Sequence, residues 1–183
     1  QTEALEVLEA LNEPGAGPTG SPTERRLRDS TPVGGWLMKA APGVWDLEAA
    51  LEEGDVPTSW RLAPTYRVGL IRAGDPVVLW RTRGWTGPSG IVAVGRVTDP
   101  PDPGDERPGD PEDRRWVSAS ARDRPRPRVD LALEVLDQPL ALERTDAVPE
   151  LRNLEVRRVP RIGNPSVITP AQWSELKNFF GNP

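Results

Sequence analysis

The chain of 183 residues contains no cysteine and no histidine. Without cysteine it can form neither a disulfide framework nor a thiolate metal site, which suits a cytoplasmic protein. Without histidine it lacks the commonest general base and the commonest metal ligand of proteins. These absences exclude serine-triad hydrolysis, histidine-metal nuclease chemistry and most zinc chemistry, so an enzyme of this sequence would have to work with carboxylates alone.

Long apolar runs are missing as well. No stretch approaches the roughly 20 apolar residues of a membrane-spanning helix, and the sequence has no signal-peptide core. It also has no phosphate-binding loop, no dinucleotide fingerprint and no calcium-loop spacing among its acidic residues. We therefore expect a soluble, cytoplasmic binding protein that is not an enzyme and uses no cofactor or metal. Its length suits one domain.

The net charge of -5 conceals an uneven distribution along the chain. Residues 99–113 hold seven acidic side chains against Arg107 alone, whereas residues 114–128 hold six arginines against Asp123 alone. The planar guanidinium group of arginine suits phosphates and base edges, so the basic stretch favours a nucleic-acid partner despite the acidic total. The near absence of lysine is a weaker signal, because codon bias in a GC-rich genome would also produce it.

The sequence of the first 30 residues predicts a segment outside the folded domain. Apolar residues in 1–12 fit one helical stripe, the pattern breaks at Glu13-Pro14-Gly15, and residues 16–30 have the composition of a flexible linker. We predict a short helix and a Gly/Pro-rich linker over 1–30, and one domain over 31–183. Because the sequence begins without methionine, we also expect the module to belong to a longer protein.

Within the domain, strand patterns alternate with few helical ones. Runs enriched in β-branched and aromatic residues predict strands at 36–40, 66–70, 77–83, 91–97, 116–121 and 129–135. Helices are predicted at 46–53 and at 170–179, the second capped by Thr169 with Pro170 in its first position. Six strands with few helices predict a mixed α/β fold, a small twisted β-barrel flanked by helices.

Four segments in chain order resemble the EVE domain, a PUA-like relative of the YTH modules. They are residues 34–42 with Trp36 and Lys39, 71–80 with the Gly74-Asp75 turn, 90–97, and 168–173 with Thr169-Pro170. The resemblance covers about residues 34 to 180. It implies a PUA-like barrel that recognises a modified nucleobase.

The resemblance also implies a base pocket with aromatic walls. A base flipped out of its stack needs an aromatic ring on each face and polar groups at its edge. Trp60 and Trp116 are implied as the two stacking partners, and Trp36 as part of the pocket wall. Ser59, Ser118 and the backbone at Lys39 are the candidates for polar contacts with the base.

Arginines are the candidates for the nucleic-acid backbone. The predicted contacts are Arg61, Arg67, Arg81, Arg83, Arg115, Arg124, Arg126 and Arg128. Proline alternates with arginine in 124–128, which stiffens the segment and holds its charges along one extended edge. A soluble loop that neutralises the acidic stretch before it is the alternative interpretation.

The sequence thus predicts a DNA-binding reader that flips 5-methylcytosine or 5-hydroxymethylcytosine into an aromatic pocket. EVE domains of this kind occur in modification-dependent restriction systems, which implies a nuclease as a fused or associated partner. Ala40 replaces the serine that follows the strand lysine in many relatives, so the identity of the modified base stays open. Two alternatives remain: a reader of modified RNA or N6-methyladenine with the same fold, and a protein-interaction module without a ligand pocket.

Overall fold

The computed structural model describes residues 24–102 and 104–181. The predicted helix over 1–12 and most of the predicted linker lie outside this part of the chain. Residues 24–30 do not behave as a linker, because Leu27 is buried in the core and Arg25 forms a two-point ion pair with Asp75. The folded unit therefore extends further toward the N-terminus than the predicted boundary at Thr31.

Six strands form one mixed sheet in the order β2-β5-β4-β3-β1-β6. They are β1 Gly35–Ala40, β2 Ser59–Arg61, β3 Pro76–Arg81, β4 Gly90–Asp99, β5 Arg128–Ala141 and β6 Ser166–Ile168. β1 and β3 are parallel, and every other neighbouring pair is antiparallel. The sheet curls into a half-barrel, which confirms the predicted mixed α/β, PUA-like fold.

Six α-helices and one 3₁₀ helix connect or cover the strands in the described residues. They are α1 Leu47–Glu52, α2 Ala119–Asp123, α3 Leu142–Thr145, α4 Pro149–Arg152, α5 Glu155–Arg158, α6 Pro170–Gly181 and the 3₁₀ helix Tyr66–Leu70. Thr169 caps α6 as predicted, and Gln172 completes a capping box, since each side chain accepts a hydrogen bond from the other's backbone N–H. None of these helices has the length and apolar character needed to cross a membrane.

Both faces of the sheet are covered by apolar residues. Along β1, Trp36 and Met38 point into one core, whereas Leu37 points into the other, as the two-residue period of a strand requires. Residues of α4 to α6, including Leu151 and Leu176, close the second core. The first core continues into α1 and β2, where it adjoins the candidate site.

Two predicted strands are wrong. Residues 66–70 form the 3₁₀ helix, and residues 116–121 form a turn followed by the start of α2. In the second case Ser118 accepts a hydrogen bond from Ala121 N and caps the helix, while the alanines that follow favour helical backbone. β2 and β6 were not predicted because three residues are too few to show a strand's alternation.

Candidate nucleic-acid interface

A cavity of about 660 Å³ opens beside the first core. Its walls come from the end of β1, from the residues before α1, from β2 and the residues after it, and from the loop between β4 and β5. Three of the chain's seven tryptophans line it: Trp45, Trp60 and Trp116. The volume lies within the range of about 300–1,000 Å³ that is usual for ligand pockets.

Trp60 and Trp45 form one aromatic wall. Trp60 sits in the middle of β2, opposite Val129 of β5, which fixes its backbone. The rings of Trp45 and Trp60 meet edge to face, with centroids 5.9 Å apart and planes at 78°. Trp45 donates its indole N–H to Asp113 Oδ2 at 2.7 Å. Both rings are half-buried and oriented by neighbours, so they present a preformed apolar surface.

Trp116 lines the same cavity from the loop that leads into α2. An isolated bridge pairs its backbone with that of Trp45, so the two segments are fixed to each other. Gly109 packs against the ring so closely that a Cβ at this position would come within 2.5 Å of it. A residue larger than glycine at position 109 would therefore displace Trp116.

Arg61 connects β2 to the loop that carries Trp116. Its guanidinium lies over the Trp116 ring, with Cζ 5.1 Å from the centroid. It donates hydrogen bonds to the carbonyl oxygens of Ala121, at 2.5 Å, and of Arg124. Burial, followed by the positive charges of Arg128, Arg126 and Arg124, lowers the pKa of Arg61. The side chain therefore serves as a wall of the cavity.

Three further arginines, Arg124, Arg126 and Arg128, line the cavity next to Arg61. Arg128 donates a hydrogen bond to Ser59 Oγ at 2.6 Å, whereas Arg124 and Arg126 have no side-chain hydrogen bond or ion pair among the described residues. Opposite charges sit elsewhere in the lining, on Asp55, Asp110 and Asp113. The cavity thus has an arginine-rich side that suits an anionic backbone and an aromatic side that suits a base.

The family model of the EVE domain matches residues 35–178. The chain belongs to the EVE domain family. No curated protein matches it. Its fold resembles those of solved structures that have low sequence identity to it.

A protein from Pseudomonas putida is 21% identical to this EVE domain, with a TM-score of 0.54, 79% of this chain and 98% of that chain covered. Rpa0253 from Rhodopseudomonas palustris is 20% identical, with a TM-score of 0.53 and 81% and 94% covered. The human THYN1 protein, solved in complex with DNA containing 5-methylcytosine, is 11% identical, with a TM-score of 0.51 and 81% and 98% covered. These likenesses show that the fold is shared.

Of the predicted base contacts, the structure brings Trp60, Trp116, Ser59 and Lys39 to the cavity. Trp36 is elsewhere. It is fully buried in the first core, where its indole N–H donates to Asp75 Oδ2 at 2.8 Å. A side chain with no exposed surface cannot stack on a base while the core is intact, so we infer that Trp36 supports the core and does not contact the base.

Ser118 and Lys39 have structural partners in this EVE domain. Ser118 caps α2 and does not line the cavity. The Lys39 ammonium donates to the carbonyl oxygens of Pro160, at 2.7 Å, and of Ile162, and burial lowers its pKa. The backbone N–H and C=O of Lys39 are both bonded to the side-chain amide of Asn164, so neither is directed at a base.

The predicted backbone arginines separate into paired and unpaired groups. Arg67 pairs with Glu155 at 2.7 Å, Arg81 with Glu48 at 2.9 Å, and Arg115 with Glu53, Asp55 and Asp113. Hydrogen bonding to Glu155 raises the pKa of Arg67. Arg83 is exposed and does not line the cavity. Arg61, Arg124, Arg126 and Arg128 line the cavity without a carboxylate partner, and Arg61 among them is bonded to backbone carbonyl oxygens.

Three residues of the site were not predicted. Trp45 precedes the N-cap of α1, and that position suggested packing of the helix on the sheet. Asp113 lies in an acidic loop whose carboxylates suggested solvation, and Asn164 stands between Gly163 and Pro165 with no local sign of a role. Their partners, Trp60, Trp45 and Lys39, are remote in sequence, so only the fold reveals them. No group of metal-ligating side chains that could hold an ion occurs in the described residues.

Proposed function

We propose that this EVE domain is a reader of modified cytosine in DNA, with 5-methylcytosine or 5-hydroxymethylcytosine as the recognised base. The observation that carries the proposal is one cavity lined by three tryptophans and by Arg124 and Arg126, whose side chains have no partner among the described residues. Aromatic rings recognise the flat faces of a base, and free guanidinium groups recognise phosphates. The described residues combine both at a single place.

In the proposed mechanism, Arg124 and Arg126 bind phosphates of the DNA backbone while the modified base leaves the base stack and enters the cavity. Trp60 and Trp116 then contact its two faces, and each base–aromatic contact contributes about 1–3 kcal/mol. Ser59 and backbone groups of the lining supply hydrogen bonds to its edge. The Arg61 guanidinium, held on Trp116, keeps that ring in place for stacking.

The fold shared with human THYN1, which was solved with DNA containing 5-methylcytosine, supports DNA as the polymer. The open cavity supports a ligand-binding function over a protein-interaction module, because Trp60 and Trp116 both line it. A competition between matched RNA and DNA oligonucleotides separates the DNA reader from a modified-RNA reader of the same fold.

The test of the proposal is binding to duplexes that differ only in one 5-methylcytosine or 5-hydroxymethylcytosine. We expect tighter binding of the modified duplex, and loss of this preference by about fivefold or more in Trp60→Ala and Trp116→Ala. Trp85→Ala is the matched control, because Trp85 is a half-buried tryptophan that packs on the first core and does not line the cavity. Equal affinity of the wild type for all duplexes would overturn the proposal.

We further propose that the domain targets a modification-dependent restriction endonuclease, with the nuclease in a fused or associated protein and both in the cytoplasm. The chain itself would then bind and not catalyse. Restriction of modified and unmodified phage DNA in cells tests this role. Trp116→Ala in the full-length protein should abolish the difference between the two phages, whereas Trp85→Ala should preserve it.

A further inference from the structure

A second basic loop lies beside the cavity, at residues 158–162. It has the sequence Arg158-Val159-Pro160-Arg161-Ile162 and begins at the last residue of α5. Arg158 and Arg161 are exposed, and neither side chain has a hydrogen bond or an ion pair within the described chain. Val159 between them is 47% exposed.

The loop is fixed to the cavity from one side by Lys39. The Lys39 side chain, which lines the cavity, donates to the carbonyl oxygens of Pro160 and Ile162. Within the loop, Val159 N donates to Glu155 O at 2.8 Å and Ile162 N to Val159 O at 3.0 Å. These hydrogen bonds fix the backbone that carries both arginines, so a ligand can bind the loop without having to order it.

The loop is fixed from the other side by the residues after β2. Gly163 and Asn164, which follow the loop directly, line the cavity. Ala63 N donates to Asn164 O at 2.7 Å, and a Cβ at Gly163 would come within 2.7 Å of Ala63 Cβ. One residue earlier, Leu62 N donates to Pro127 O at 2.9 Å. Adjacent residues of one strand extension thus hold the 124–128 segment and the 158–164 segment at the cavity.

The cavity therefore has two arginine-bearing segments, one bonded to Leu62 and the other to Ala63, the residues that follow β2. Such an arrangement fits a polyanion that continues past the pocket in both directions, as a duplex does on either side of a flipped base. We propose that the 158–162 loop is a second DNA-backbone contact, in which Arg158 and Arg161 bind phosphates on the opposite side of the base from Arg124 and Arg126. This inference rests on the proposed function, since it takes the cavity as the place of the base.

The salt dependence of duplex binding tests the loop. Each phosphate contact contributes about 0.9 to the slope of log K against log salt concentration, so the double variant Arg158→Ala/Arg161→Ala should reduce the slope by about 1.8. Its affinity at low salt should fall by roughly tenfold or more. Binding of the free nucleoside 5-methyl-2′-deoxycytidine should be unchanged, because the arginines lie outside the pocket.

The matched control is Arg144→Ala/Arg152→Ala. Arg144 and Arg152 are equally exposed and unpaired among the described residues, but they lie on α3 and α4, whose apolar side chains Leu142 and Leu151 face the second core. This control removes the same charge from the chain and should leave the slope unchanged. Equal slopes for the two double variants would overturn the inference, as would a parallel loss of nucleoside binding.

Failure of the proposed function gives a different result. If wild-type protein binds methylated and unmethylated duplexes equally, the domain does not recognise the modified base and the proposed function is overturned. A reduced slope in Arg158→Ala/Arg161→Ala under the same conditions would still support the loop as a duplex contact.

Discussion

The guanidinium of Arg61 lies over the indole of Trp116, with Cζ 5.1 Å from the ring centroid. The two residues are joined only by the fold, since Arg61 ends β2 and Trp116 lies in the loop before α2. Arg61 also holds the carbonyl oxygens of Ala121 and Arg124, so one side chain fixes both the ring and the start of the 124–128 segment.

We therefore expect Arg61→Lys to destabilise the fold, although the substitution keeps the positive charge. Lysine cannot reproduce the planar stack and the two directed hydrogen bonds. The free energy of unfolding should fall by about 1–2 kcal/mol, which lowers the melting temperature by roughly 2–4 °C per kcal/mol, and duplex affinity should fall with it. Arg96→Lys, at an exposed position of β4, is the control. Full stability and DNA binding in Arg61→Lys would show that Arg61 acts only as a positive charge.

The sequence predicted the parts of the fold that depend on local pattern. β1, β3, β4 and β5 were predicted because each is enriched in β-branched or aromatic residues. The runs in β1, β3 and β4 are buried in the sheet, whereas buried and exposed residues alternate at the start of β5. β2 and β6 are three residues long, and their pairing partners determine them more than their composition does. The error at 116–121 has a similar cause, since the alternation there comes from a cap and alanines and not from a strand.

The candidate site was predicted in part, for reasons that differ between residues. Trp60 and Trp116 stood among polar neighbours, which is unusual for core tryptophan and indicated exposure. Trp36 was assigned to the pocket through the resemblance alone, whereas its burial depends on Asp75, which no local pattern connects to it. Arg67 and Arg81 could not be told from free arginines, because their carboxylate partners are distant in sequence.

Lys39 should act on the shape of the site and not on its charge. Lys39→Met removes the hydrogen bonds to Pro160 and Ile162 but keeps the length of the apolar stem. We expect weaker binding of the modified nucleoside, because the loop that precedes Gly163 and Asn164 loses its support. The slope of log K against log salt concentration should remain that of the wild type. A slope reduced by about 0.9 would instead identify Lys39 as a phosphate contact.

Arg67 and Glu155 form a buried pair that should govern stability. Glu155 accepts two hydrogen bonds from Arg67, at 2.7 and 2.8 Å, and one from Val167 N at 2.8 Å, and both side chains are almost fully buried. Glu155→Ala should lower the free energy of unfolding by about 3–5 kcal/mol in chemical denaturation, because it strands the guanidinium without a partner.

The double variant Arg67→Met/Glu155→Leu distinguishes a structural pair from a DNA contact. Replacing both charges by apolar side chains removes the unpaired charge, so we expect it to be more stable than Glu155→Ala. It should also bind duplex DNA with the salt dependence of the wild type. A reduced salt dependence would restore Arg67 to the predicted backbone contacts.

Asp113 should control selectivity through Trp45. Its carboxylate accepts from the Trp45 indole at 2.7 Å and from Arg115 N at 3.0 Å, and Trp45 in turn meets Trp60 edge to face. Asp113→Ala removes the hydrogen bond that orients the Trp45 ring against Trp60, so the preference for a methylated over an unmethylated duplex should decrease. The same change removes a negative charge from the cavity and should raise the affinity for both duplexes at low salt.

Two variants separate these effects. Asp113→Asn retains an acceptor for the indole, so it should raise affinity and keep the preference. Asp110→Ala removes a carboxylate from the same cavity without a contact to Trp45, since Asp110 accepts its hydrogen bond from Glu112 N at 2.9 Å, and it should do the same. If all three variants reduce the preference equally, the charge of the acidic loop determines selectivity, and the support of Trp45 by Asp113 is irrelevant to it.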